Sequence, residues 1–273
     1  MAFRIAYCAG HYLNTPGKRV PKELDKACTR EWVLNDRVAD YFSQAAAEYP
    51  EVMLLRTDDP VGLAEISIKK RTQKANTWGA DLYLDLHHNA GISLGKGGGV
   101  VVYCKKKDTT GKKFRDAIYK AVIAAGKLKG NRANPLAEKN YLTMVYSKAP
   151  AVLIEFGFMD SRTDYPVIST EDYAKKVAYA TMEAIAAVAN LEKTKKETCK
   201  VELRILKNGA SGKDVKAMQI LLEASGCKGK MDAKKYGSFG SKTEEAVKLY
   251  QKKAGIPQTG CCDAVTWGKL LGG

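Results

Sequence analysis

At 273 residues, 45% apolar and 27% charged, the chain is an ordinary globular sequence rather than a disordered one. It is long enough for one sizeable core, or for a larger and a smaller one. The net charge of +15 favours an anionic partner, such as nucleic acid, a membrane surface or an acidic polymer, without choosing among them. No run approaches the roughly 18 apolar residues of a membrane span.

The opening MAFRIAYCAG lacks the charged start, longer apolar run and small-residue cleavage site of a signal peptide, so synthesis in the cytoplasm is expected. Seven scattered cysteines without a C-x-x-C pair read as buried, reduced thiols. In chain order, FRIAYCA reads as a strand. Thr29 to Tyr49 then shows helical spacing of Val33, Val38, Phe42 and Ala45, with Thr29 as a cap. EVMLLR is a second strand and Val61 to Asn76 a second helix. DLYLDLH, GVVVYC and AVLIEF are further strands, with helices near Thr109–Ala125 and Thr170–Leu191. This alternation predicts an α/β fold, a largely parallel twisted sheet with helices on both faces, over residues 1–191.

Composition changes at EKTKKETCK, residues 192–200, which is charged, lacks large apolar side chains and reads as a linker. Beyond it, residues 201–273 read as a small all-α domain of three helices. SGKDVKAMQILLEASG and SKTEEAVKLYQKKAG each pair a serine with an acid three residues on, Ser211 with Asp214 and Ser241 with Glu244. That is the pattern of a capping box. DAVTWGKLL supplies the third helix, in which Trp267 reads as core. From residue 192 onward there are 17 Lys plus Arg against 9 Asp plus Glu, a net +8, so this end carries about half of the charge.

The chain has three histidines, and two adjoin at the end of DLYLDLHHNA. Alternation along a strand puts His87 with Asp85 and Asn89, and His88 with Leu86 on the other face, so the neighbours do not share a ligand. His11 follows the first strand, His87 ends the third, and Glu155 lies at the end of AVLIEF. Ligands gather beyond the carboxyl ends of parallel strands, so these three groups converge on one sheet edge. Two neutral imidazoles and a carboxylate with an open fourth position suit catalytic zinc. Glu23, Asp25 and Glu31 each offer the further carboxylate.

These residues sit in four blocks that resemble the zinc-dependent N-acetylmuramoyl-L-alanine amidases of the type-three class, which cleave bacterial peptidoglycan and include many phage endolysins. The blocks are AYCAGHYLNTPG, EWVLN, RTQKANTWGADLYLDLHHNA and PAVLIEFGFMDS, in order across almost all of residues 1–191. The resemblance implies His11, Glu31 and His87 as zinc ligands, Glu155 as the catalytic acid, and His88 as a non-ligand. The reaction it implies is cleavage of the amide between the lactyl group of N-acetylmuramic acid and L-alanine, as in an endolysin or autolysin. The sequence departs from the family pattern in a longer, more basic loop after His11, and in Asp85, where a small residue is usual. Both departures bear on substrate preference.

The last seventy residues are similar to a three-helix peptidoglycan-binding module, so the expected partners are peptidoglycan and the anionic polymers of the wall. The chain would then be made in the cytoplasm and act on the cell wall outside it. A zinc peptidase cutting within the stem peptide or its cross-links is the alternative, but its second histidine close to an aspartate is not found. A basic nucleic-acid-binding protein would explain the charge, yet leaves the four site residues unexplained, and no nucleic-acid motif appears.

Overall fold

The computed structural model describes residues 2–194 and 203–272. The chain divides into two units, Met1–Lys195 and Lys196–Gly273. The charged stretch expected as a linker starts inside the first unit: the Thr194 amide donates to Glu48 O, and Lys193 pairs with Glu48 at 2.6 Å. The rest of that stretch, 195–200, with Cys199, lies outside the described residues.

The first unit runs β1 (Phe3–Ala9), α1 (Glu31–Ala46), β2 (Val52–Arg56), α2 (Ile68–Trp78), β3 (Leu82–Asn89) and β4 (Val101–Cys104). It continues with α3 (Thr109–Gly126), β5 (Leu136–Glu138), α4 (Leu142–Tyr146), β6 (Ala151–Phe158), α5 (Tyr165–Ile168) and α6 (Glu171–Ala189). Six strands form one sheet in the order β2-β1-β3-β6-β4-β5. All neighbours run parallel except β4 against β6. The central strands are apolar on both faces, as a doubly covered sheet requires. Leu82, Leu84, Leu86, Val152, Ile154 and Phe156 pack toward the core shared with Phe42 of α1, Ile118 of α3 and Val177 of α6. The alternate residues, Ala6, Cys8, Tyr83 and Leu153, meet Ala75 of α2 and Met144 of α4. This is the layered α/β arrangement expected from the sequence.

Two local expectations are corrected. The helix expected from Val61 begins at Ile68, because Asp59 accepts the amides of Val61, Leu63 and Ala64 and holds them in a loop. Ser67, not an earlier residue, then caps the helix by accepting from Lys70 N. Thr29 does not cap α1, whose N-cap is Arg30 without a side-chain bond; the Thr29 hydroxyl donates to Asp25 instead. The short elements β5, α4 and α5 lie in segments with too few residues to show a period.

The second unit holds α7 (Lys213–Ala224), a single 3-10 turn (Ala233–Lys235), α8 (Ser241–Lys253) and α9 (Ala264–Leu270). Leu206, Val215, Met218, Leu222, Val247, Tyr250, Cys262 and Trp267 form its core, and Trp267 Nε1 donates to Arg204 O. The two capping boxes are not made. Gly212 and Gly240 occupy the N-cap positions without side-chain bonds, Asp214 pairs with Arg204 at 2.6 Å, and Glu244 with Lys248 at 2.7 Å.

Two buried glutamines hold the turns between helices instead. Gln219 of α7 donates to Ser238 O and Thr243 Oγ1 and accepts from Gly237 N. Gln251 of α8 repeats the device one helix later: it donates to Thr259 Oγ1, Cys261 O and Thr266 Oγ1 and accepts from Gly260 N. Gln219 thus fixes the turn into the uncapped α8, whereas Gln251 fixes the turn into α9, whose N-cap Asp263 also accepts from Thr266 N. The substitution Gln251→Leu removes four hydrogen bonds and leaves the buried Gly260 amide unpaired. It is expected to destabilise this unit by about 1–3 kcal/mol, seen as an earlier transition in denaturant unfolding.

Candidate metal centre and active site

Strand ends build the site. β1 stops at Ala9, and Gly10 N still bonds Leu86 O of β3, so the chain crosses directly over the end of the neighbouring strand. His11 then takes φ 66°, a left-handed conformation rare for a residue with a Cβ. Arg71 of α2 fixes that turn from below, donating to Ile66 O, Ala9 O (3.0 Å) and His11 O (2.8 Å). Glu31 opens α1, and His87 is the last residue of the regular β3–β6 pairing, before the register shifts between His87 and Asn89.

These three side chains meet. Glu31 Oε1 lies 3.0 Å from His87 Nδ1 and 3.3 Å from His11 Nε2. One donor atom from each residue falls within 4.8 Å of the other two, which is the spacing of ligands about a single cation. The two rings stand edge to face at 4.9 Å between centroids and 89°. Glu31 is 1% exposed, and its Oε2 has no hydrogen-bond partner among the described residues; the nearest cation is Lys18 Nζ at 3.6 Å, on the basic loop. Burial works to raise the Glu31 carboxyl, but the bonds and charges of His11 and His87 hold it well below the usual range. A buried carboxylate with a partnerless oxygen is costly to leave uncompensated. Two imidazoles and one carboxylate of this kind fit a metal of borderline softness.

Glu23 is exposed and Asp25 is engaged by Thr29 and Ala27, so neither joins the cluster. His88 points the other way. Its Nδ1 meets Asn35 Oδ1 at 2.8 Å, its ring packs 5.8 Å from Phe156, and burial lowers it to about 3, so it is neutral and structural. Asn35, one helical turn after Glu31, ties the region together by donating to Gly10 O at 3.1 Å and to Glu31 Oε1 at 3.5 Å.

Glu155 on β6 is the register partner of His87 on β3, which places its carboxyl beside the cluster. Its Oε2 is buried with no hydrogen-bond partner among the described residues. Burial pushes this carboxyl up to about 7; the neighbouring Glu31 charge adds to the shift and the His87 charge opposes it. On the opposite side of the His87 ring, Asp85 Oδ1 lies 3.0 Å from Nε2. The strand parity already paired Asp85 with His87. The tie to the ring, rather than to substrate, shows only in the fold. Arg71 was visible in the sequence as part of RTQKAN, without a sign that it grips the turn carrying His11.

The sequence profile described as N-acetylmuramoyl-L-alanine amidase matches residues 5–187, two thirds of the chain. The chain belongs to this amidase family. A second profile, that of a peptidoglycan binding domain, matches residues 211–270. Among relatives, N-acetylmuramoyl-L-alanine amidase CwlM of Bacillus licheniformis is 26% identical over 166 residues, which is 61% of this chain and 62% of that protein. The sporulation-specific N-acetylmuramoyl-L-alanine amidase of Bacillus subtilis is 31% identical over 149 residues, 54% of each. An endolysin of Bacillus phage SPP1 is 34% identical over 129 residues, 45% of each. The chain spans about half the length of the curated relatives it matches. In fold it is similar to an N-acetylmuramoyl-L-alanine amidase from Clostridium difficile 630, with a TM-score of 0.62 at 22% identity over 69% of this chain and 97% of that one.

Gly10 is the one glycine that the cluster itself requires. A Cβ there would stand 2.1–2.4 Å from three ring atoms of His87. Gly10→Ala is therefore expected to displace the ring and reduce divalent-metal retention after dialysis, while circular dichroism stays close to that of the unaltered chain.

Proposed function

We propose that the chain is a zinc hydrolase that cleaves the amide between N-acetylmuramic acid and L-alanine in bacterial peptidoglycan, with His11, Glu31 and His87 holding the metal and Glu155 as the catalytic acid and base. The observation that carries this reading is the convergence of His11, Glu31 and His87 donor atoms within 4.8 Å, next to Glu155, whose buried Oε2 has no hydrogen-bond partner among the described residues. Family membership supplies the bond class, and the second unit's match to a peptidoglycan binding domain supports the same polymer as substrate.

Zinc held by these side chains would lower the pKa of a water toward about 7 and polarise the scissile carbonyl. The chain's own residues do the rest. Glu155, with its carboxyl near 7, is divided between its two forms at neutral pH, so it can take a proton from water and give one to the leaving nitrogen. Water's oxygen adds to the carbonyl carbon, the carbon–nitrogen bond breaks, and the proton delivered from Glu155 leaves a free L-alanine amine. Lys18, whose backbone O accepts from Glu31 N, sets its Nζ 3.6 Å from Glu31 Oε2 and adds positive potential at the rim of the cluster.

The basic second unit would draw the enzyme to walls rich in anionic polymers, in the manner of an endolysin or autolysin working outside the cytoplasm. Among the described residues no helix is long and apolar enough to cross a membrane.

Two sets of variants separate the roles. Glu155→Gln should retain zinc and lose at least about 100-fold in wall hydrolysis, in line with the weight of general acid–base catalysis. His11→Ala and His87→Ala should lose both zinc and hydrolysis, measured by metal analysis and wall clearing. Digested wall should yield muramic acid freed of peptide together with new L-alanine amino termini; new termini inside the stem peptide would assign the chain to the peptidases instead.

A further inference from the structure

We infer that Asp85 is a positioning residue that fixes His87 as an Nδ1 ligand, an inference that rests on reading His11, Glu31 and His87 as the metal site. His87 offers two nitrogens to two carboxylates. Nδ1 faces Glu31 Oε1 at 3.0 Å, inside the cluster, and Nε2 faces Asp85 Oδ1 at 3.0 Å, away from it. Both carboxylates only accept, so without a cation each nitrogen of His87 faces an acceptor; once a cation takes the Nδ1 lone pair between His11, Glu31 and His87, Asp85 keeps the remaining ring proton on Nε2. A histidine whose outer N–H is held this way is both oriented and made a stronger donor to a cation.

Asp85 is itself built into the sheet rather than placed by chance. It is 4% exposed, and the same Oδ1 accepts from Cys8 Sγ at 3.0 Å across the paired strands β1 and β3. Cys8 Sγ lies 3.3 Å from the Tyr83 hydroxyl, which lies 3.2 Å from Thr57 Oγ1, and Thr57 Oγ1 donates to Tyr7 O. A buried line of hydrogen bonds thus runs from the backbone of β1 to the outer nitrogen of His87. A serine or alanine at position 85 would not span that gap, so this chain replaces the small residue with one that reaches the ring.

Among the described residues the Asp85 carboxylate has two side-chain hydrogen-bond partners, the neutral Cys8 thiol and the His87 ring. Arg71 spends its hydrogen bonds on the backbone of Ile66, Ala9 and His11. The partner that accounts for Asp85 is His87.

The test is zinc affinity of the full chain, measured by competition with a chromophoric chelator. Asp85→Ala, which removes the acceptor, should weaken zinc roughly 10–100-fold, and Asp85→Asn, which keeps an acceptor oxygen but no charge, should lose less. Thermal unfolding of the metal-free variants reports whether the fold is kept. Should either variant fail to fold, the unaltered chain decides the matter through long-range proton–nitrogen NMR correlations of the imidazole. With zinc bound, the remaining ring proton is expected on Nε2 and the metal-induced shift on Nδ1. An unchanged affinity in a folded Asp85→Ala chain, or a zinc-shifted Nε2, overturns the inference and leaves the metal site standing. An unaltered chain that binds no zinc overturns both.

Discussion

Glu31 carries a charge at a place where water cannot solvate it. Its Oε1 is shared by His87 Nδ1, His11 Nε2 and the amide groups of Asn35 and His88, while its Oε2 finds no hydrogen bond. Isolating a carboxylate in such surroundings costs several kcal/mol unless a cation or protonated partner stands against it. The arrangement around Glu31 reads as the consequence. Gly10 gives way to the His87 ring, His11 accepts a left-handed backbone, and Arg71 anchors the turn that makes that conformation tolerable. Strain of this sort persists where surrounding structure over-determines it, and here three backbone bonds from one guanidinium do so. The His11–Glu31–His87 cluster and the fold of the β1 end are therefore one problem with one solution.

Much of this was legible before any coordinates. Strand ends are recognisable from β-branched and aromatic runs, and the rule that parallel strands gather ligands at their carboxyl ends brought His11, His87 and Glu155 to one edge. Strand parity separated His88 from His87, and the structure has His88 on Asn35 and Phe156. Glu31 was not selected by spacing. It sits twenty residues beyond His11, after a loop whose path no periodicity fixes, and only the motif resemblance preferred it over Glu23 or Asp25. Helix starts were read less well, for a definite reason. Serine–acid spacing describes what could cap a helix, whereas competing partners decide what does: Thr29 goes to Asp25, Asp214 to Arg204, Glu244 to Lys248. Those competitors are distant in sequence or lie on the far side of the residue, and a local pattern does not contain them.

The second unit shows the same limit from the other direction. Its helices were visible from their apolar spacing, yet the devices that join them, Gln219 and Gln251, look like solvent-facing polar residues in the sequence. Both are almost fully buried, at 2% and 1%. A primary amide offers two donors and an acceptor with two lone pairs, so one side chain can satisfy several backbone and hydroxyl groups of a tight turn at once. In a unit of some seventy residues, where apolar burial alone yields little margin, concentrating turn satisfaction in two side chains leaves the remaining surface free to be charged. That freedom is what the net +8 of this end occupies.

The antiparallel insertion of β4 completes the logic of the first unit. In a sheet ordered β2-β1-β3-β6-β4-β5, β6 comes last in sequence yet lies between β3 and β4. Its central place puts Glu155 in register with His87 on one side and with Val101 on the other. A carboxyl on an edge strand would be wetted and ordinary. Flanked by strands on both sides, Glu155 is desolvated, and this burial is the largest cause of its shift to about 7. The two carboxyls near the cluster thus diverge for structural reasons: two imidazoles hold Glu31 ionised, whereas burial raises Glu155, whose Oε2 has no hydrogen-bond partner among the described residues. Topology sets this difference, because the strand that arrives last in sequence is the one placed between two others, where a carboxyl is largely desolvated without an ion-pair partner at hydrogen-bond distance.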